Sequence, residues 1–206
     1  DTEFPTKVII DSPSTDAFRR PDHDSLMRKY FNISNDVISL REEKTIFEEP
    51  VYVPAGFQIE VYEGQDIDLI NGAFLYSESP VRFMGSEKSP INVTSSDSSG
   101  RGLIVISQLR SVLAHSNFSN LASIEQPDWS VTGALTFYGG EIDITQTRIE
   151  NVRAEDGLNI LRGRVKIDKL SISEVESDGF DCDFCIGDIS DSHVEFSGND
   201  GFDFSG

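Results

Sequence analysis

The chain has 206 residues and a net charge of −19 at pH 7, from 36 Asp and Glu against 17 Lys and Arg. That balance argues against a nucleic-acid groove and leaves cations or cationic partners as the electrostatically natural ligands. One domain with a sizeable core fits this length, and no run of about 18 apolar residues marks a membrane span.

Residues 1–45 follow no repeat. The stretch "STDAFRRPDHDSLMRKYFNIS" mixes charge with Phe, Leu, Met and Tyr and predicts a short helix, while "VIIDSP" and "VISL" read as strands. A solenoid needs its first coil covered, because an open end exposes core and unpaired strand groups. The segment is therefore assigned to an N-terminal cap, with a repeat domain over residues 46–206.

The repeat shows in the first apolar residue after each Gly-like turn: Phe57, Val81, Leu103, Leu135, Leu158, Phe180 and Phe202. Spacing in the low twenties with short alternating strands is the signature of stacked coils. Ile144, Ile167 and Ile189 keep the same beat, and so do Ile149, Ile172 and Val194, which gives three strand positions per coil. Segments such as "LTFYG" and "EIDIT" alternate apolar and polar residues, as strands with one buried face require. Parallel strands cannot be joined by hairpins. A chain that winds round to stack each coil on the last is a parallel β-helix, all-β, here of about seven coils. One step is long, and "NLASIEQPDWS" accounts for it as an extruded loop carrying Trp129.

Three sequons, Asn32-Ile33-Ser34, Asn92-Val93-Thr94 and Asn117-Phe118-Ser119, together with the Ser-, Asn- and Phe-rich composition, lean toward an exported protein. Cys182 and Cys185 form a single CxxC, too few ligands for a zinc site, which reads as buried thiols or a local disulfide. The Asp-Gly pairs at 156, 178 and 200 form a turn series in which Asp accepts backbone hydrogen bonds and Gly supplies an unusual φ. On the strand "FDCDF" the residues Phe180, Cys182 and Phe184 point inward, so Asp181 and Asp183 point outward, and Asn159, Asp181 and Asp203 stack vertically. Carboxylates about 5 Å apart repel by about 1 kcal/mol in water and more at lower dielectric. Asp181, Asp183 and Asp203 have no local partner to offset this, which makes them the candidate ligands of a hard cation such as Ca²⁺. Further along the same face Ile104, Ile106, Tyr138 and Leu161 form an apolar strip. Trp129 either covers the strip or, with Tyr138 and Leu161, lines a groove for sugar rings.

Read together, "VTGALTFYGGEIDITQTRIENVRAEDGLNI", "ESDGFDCDFC" and "GNDGFDFSG" resemble right-handed parallel β-helix repeat domains, including those of bacterial surface proteins associated with spore-coat-H-like kinase modules. The resemblance covers roughly residues 37–206 and implies the pectate-lyase-like superfold, shared by lyases, polygalacturonases and epimerases. "NDGFD" is similar to the "NTDGID" box of polygalacturonases, but the paired-Asp box, Gly-His-Gly and Arg-x-Lys of that family are absent. The expectation is a non-catalytic surface module that binds carbohydrate or gives structural support and requires no cofactor. If it is instead a polysaccharide lyase, hydrolase or epimerase, Asp181, Asp183 and Asp203 are the acid, base or metal ligands. A third alternative, a solenoid self-associating end to end, follows from the chain stopping at Gly206, which more readily implies further domains beyond it.

Overall fold

The computed structural model describes residues 23–206. They form a right-handed parallel β-solenoid of about seven coils. Each coil contributes three strands. The first face runs from Val37–Leu40 through Gln58–Tyr62, Val81–Met84 and Ser111–Ala114 to Ile186–Ser190, and the second from Lys44–Phe47 through Asp66–Leu69, Ile91–Thr94 and Ser116–Ser119 to His193–Ser197. The 12-residue strands Glu141–Val152 and Arg164–Val175 serve both faces, joining them into one 13-stranded sheet. The third face is a separate seven-stranded sheet: Val51–Val53, Phe74–Ser77, Gly102–Ile106, Gly133–Tyr138, Asp156–Leu161, Asp178–Asp183 and Phe202–Ser205.

The long strands bend because one residue at each corner takes the left-handed conformation. Gln146 and Lys169 turn the first face into the second with φ of 46° and 56°, in register with His115 and Asp191. Asn151, Glu174 and Phe196 turn the second face into the third, and Arg162 and Phe184 the third into the next coil. Glycine is not required at these corners. In the Asp-Gly series Gly157 and Gly179 are needed for a different reason from the one expected, while Gly201 has room for a Cβ. Gly157, Gly179 and Gly201 have no positive φ; a Cβ on Gly179 would lie 2.8 Å from the Gly201 carbonyl oxygen and overlap Val194, so the constraint is space between stacked coils.

Inward residues stack into ladders. Leu103, Leu135, Leu158, Phe180 and Phe202 are in register, as are Ile144 with Ile167 and Ile189, and Ile149 with Ile172 and Val194. Phe57 and Val81 do not belong to the first of these ladders: Val81 stacks on Ile59 of the first face, and Val51 and Leu75 hold the expected places. A turn followed by an apolar residue marks any of the three corners, so it cannot say which. Phe180 is fully buried, whereas Phe202, on the last described strand, is 38% exposed.

At the other end the helix His23–Tyr30 covers the first coil, with Met27, Tyr30 and Phe31 buried and the Tyr30 ring centroid 4.6 Å from that of Phe47. A short antiparallel strand, Phe31–Ser34, pairs with Val37–Leu40, which in turn pairs in parallel with the second coil. Coil pairing thus begins at Val37, inside the stretch expected to be cap, because "VISL" alternates like any later strand. The "VIIDSP" strand lies outside the described residues.

Candidate functional site

The outer face of the seven-stranded sheet carries two columns of side chains. One passes from Tyr52, Tyr76 and Ile104 through Thr136 and Asn159 to Asp181 and Asp203. The other passes from Ile106 through Tyr138 and Leu161 to Asp183 and Ser205. Both therefore change from apolar to acidic along the solenoid axis.

The first column is covered over most of its length. The inserted loop folds into a small hairpin, Glu125–Gln126 with Trp129–Ser130, that lies over the early coils. The Trp129 ring meets Phe74 edge-on at 6.1 Å and Tyr76 at 6.2 Å, and together with Ile124, Val131, Ile104 and Ile106 these rings form a second apolar cluster outside the solenoid core. Arg101 ties the hairpin down, donating to the Ser123 carbonyl oxygen at 3.1 Å and pairing with Glu125 at 3.5 Å. Burial, reinforced by Glu78 and Tyr52, pushes the Tyr76 phenol up to about 12. Trp129 itself stays half-buried. Tyr52, Phe74 and Tyr76 were missed by sequence reasoning because the coil anchors at Phe57 and Val81 placed the wrong strands beneath the loop.

Where the loop rejoins the sheet, Asn159 becomes a hub. Its Nδ2 donates to Asp156 Oδ2 at 2.9 Å, to Asp181 Oδ2 at 2.9 Å and to Thr132 Oγ1 at 3.2 Å, while its buried Oδ1 has no hydrogen-bond partner. Asp156 is 2% exposed, and burial raises its carboxyl above the ordinary range against the pull of Thr132 and Asn159. Asp181 is pushed up to about 6, first by burial and then by the carboxylates of Asp183, Asp156, Asp203 and Asp178. The turn series behaves as expected at Asp178, whose Oδ1 accepts from the Asp200 backbone N–H at 2.8 Å.

Asp181, Asp183 and Asp203 come to adjacent strands, but two of them do have partners: Asn159 donates to Asp181, and the Ser205 hydroxyl donates to Asp183. Asp181 and Asp183 lie two residues apart on one strand, so their side chains stand about 7 Å from each other rather than converging. Among the described residues no group of three or more His, Cys, Asp or Glu is arranged to hold a metal ion. The CxxC is a disulfide, Cys182–Cys185, closing the corner after Asp183. Phe184, expected to point inward, is 64% exposed at the apex of that corner with φ of 54°.

The second column is partly accessible. Ile106, Tyr138, Leu161 and Asp183 are all half-buried, like Trp129, and Ile106 packs against the covered cluster. Arg162 donates to the Tyr138 hydroxyl at 3.1 Å and sits 5.9 Å from the Phe184 ring centroid. Compared with protein-family models, curated proteins and solved structures, the chain matches none. What fold and face define together is a β-solenoid scaffold suited to binding or structural roles.

Proposed function

We propose that the protein is a non-catalytic binding module, exported or attached to a cell surface, whose ligand is a neutral glycan lying along the second outer column. The observation that carries this reading is the partly accessible run Ile106, Tyr138 and Leu161, one residue per coil, beside the hairpin that carries Trp129. Coils rise about 4.8 Å, close to the length of a sugar residue, and apolar and aromatic side chains are the natural platform for the apolar faces of sugar rings. The acidic end of the same face disfavours anionic polymers. A glycan array probed with the wild-type chain and with Tyr138→Ala tests it. Binding of neutral glycans, weakened about tenfold or more by the substitution, is the expected outcome; no binding, or binding indifferent to Tyr138, contradicts it.

A catalytic reading has one observation in its favour. Burial and neighbouring carboxylates push Asp181 up to about 6, and a carboxyl group poised near neutral pH suits general acid or base work. It requires that the chain release sugar fragments from a bound polymer and that Asp181→Asn abolish the release while leaving binding intact.

A further inference from the structure

Where the inserted loop rejoins the sheet, negative charge is buried without a counterion. Asp156 is 2% exposed and Asp181 is half-buried, and among the described residues neither carboxylate has a Lys, Arg or His within ion-pair distance. Buried charges in proteins are paired or coordinate metals. Here both carboxylates meet the neutral amide of Asn159, itself 4% exposed.

That amide is mismatched to its surroundings. Its Nδ2 faces three oxygens, Asp156 Oδ2 and Asp181 Oδ2 at 2.9 Å and Thr132 Oγ1 at 3.2 Å, and has only two hydrogens to give. Its Oδ1 is buried with no partner, which destabilises the fold. The two amide atoms are nearly equal in size, so turning the amide over exchanges them. Oδ1 then stands where Nδ2 stood, among oxygens that repel it, and only a cation held between these oxygens makes that arrangement favourable.

We propose that Asp156, Asn159 and Asp181, with Thr132, form a calcium site that fills as the Asn159 amide turns over, its Oδ1 and the two carboxylates ligating the ion. The spacing fits. Oxygens bound to Ca²⁺ at about 2.3–2.6 Å lie roughly 2.8–3.5 Å from one another, and Oδ1 inherits separations of 2.9, 2.9 and 3.2 Å. Two carboxylates balance the charge of the ion, the amide and hydroxyl add neutral oxygens, and water completes the shell past exposed Thr132 and half-buried Asp181. Mg²⁺ fits less well, because it demands near-ideal octahedral geometry and gives up its waters reluctantly. This set differs from Asp181, Asp183 and Asp203, whose side chains do not converge: it takes two carboxylates and a buried amide. Thr132 follows the Trp129 hairpin directly, so bound calcium fastens the end of the inserted loop to the sheet.

Calcium at this site is independent of any glycan on the second column, and the test contains none. The isotope-labelled chain, freed of metal with a chelator, is titrated with CaCl2 and separately with MgCl2 at neutral pH and constant ionic strength. The side-chain NH2 signals of Asn159 and the melting temperature are followed. Calcium should move the Asn159 signals saturably, as their hydrogen bonds to Asp156 and Asp181 are lost, and raise the melting temperature with its concentration; magnesium at the same concentration should do neither. Asp156→Asn should weaken calcium binding about tenfold or more, with Asp181→Asn serving if that variant does not fold, whereas Asp183→Asn and Asp203→Asn should leave it nearly unchanged. No saturable response, Asn159 signals that stay fixed while calcium binds, or an equal response to magnesium would overturn the proposal. Equal losses in Asp183→Asn and Asp203→Asn would overturn it too, since ions would then merely gather on the acidic face.

Discussion

Asp181 shows how one residue reports the electrostatics of the whole acidic end. Its folded pKa, raised from 3.8 to about 6 by burial and four carboxylates, means that the folded chain binds more protons than the unfolded chain between those values. Stability therefore falls as pH rises through that window, and the penalty is fully present above about 6. Asp156, also raised, acts in the same direction. Asp97 acts in the opposite one: the backbone N–H groups of Asn71 and Ser99, then the Ser99 and Ser95 hydroxyls, hold its carboxyl below the ordinary range, so the stability it contributes is present above its unfolded value and lost only at strongly acidic pH. The melting temperature should be higher near pH 5 than at pH 7.5. Asp181→Asn should raise it at pH 7.5 and flatten the difference; a variant that keeps the wild-type profile would place the pH dependence elsewhere.

The outward direction of Asp181 and Asp183, and their stacking with Asn159 and Asp203, were legible from alternation and the 22-residue beat alone. The hub role of Asn159 was not, because Thr132 reaches it from an inserted loop whose path no repeat encodes. Nor was the spatial reason for Gly157 and Gly179: a positive φ and a crowded Cβ leave the same glycine in a sequence. Gly179→Ala separates them. The added methyl meets a backbone oxygen of the next coil and Val194, so a loss of about 1–3 kcal/mol is expected in denaturant unfolding; a neutral result would mean that the coils stack more loosely than described.

Among the elements, the Trp129 hairpin departs most from the repeat. It turns the outer face of the early coils into a second apolar cluster, so the sheet there is buried on both sides while the later coils keep one face open. Ridding the cluster of its lid has a spectroscopic signature, since burial is the main cause of the high Tyr76 pKa. In Trp129→Ala the phenol should ionise at lower pH than in wild type, visible as phenolate absorbance, with a stability loss of about 1–3 kcal/mol for a half-buried ring. An unchanged phenolate titration would show that the hairpin does not seal the cluster. The strands themselves were readable from their period, but the bends at Gln146, Lys169, Asn151 and Glu174 were not: polar residues able to adopt positive φ at modest cost leave no glycine or proline to mark a corner.

Across the whole molecule, charge is distributed unequally among the faces. On the first face Glu60 stacks on Arg82, and Asp143 on Lys166 and then Asp188, so neighbouring coils alternate in sign. The outer face of the seven-stranded sheet instead accumulates acids toward its last coils, and residues 171–206 contain no Lys or Arg to offset them. From the edge of the covered cluster toward this acidic end runs the short, partly accessible series Ile106, Tyr138 and Leu161, the surface on which the proposed function rests. Amide chemical shifts of the isotope-labelled chain, followed while a mixture of neutral oligosaccharides is added, test that claim most directly. Saturable shifts centred on Ile106, Tyr138 and Leu161, with the Trp129 indole responding, are the expected result. Shifts absent throughout the titration, or clustered on the first or second face, would contradict it.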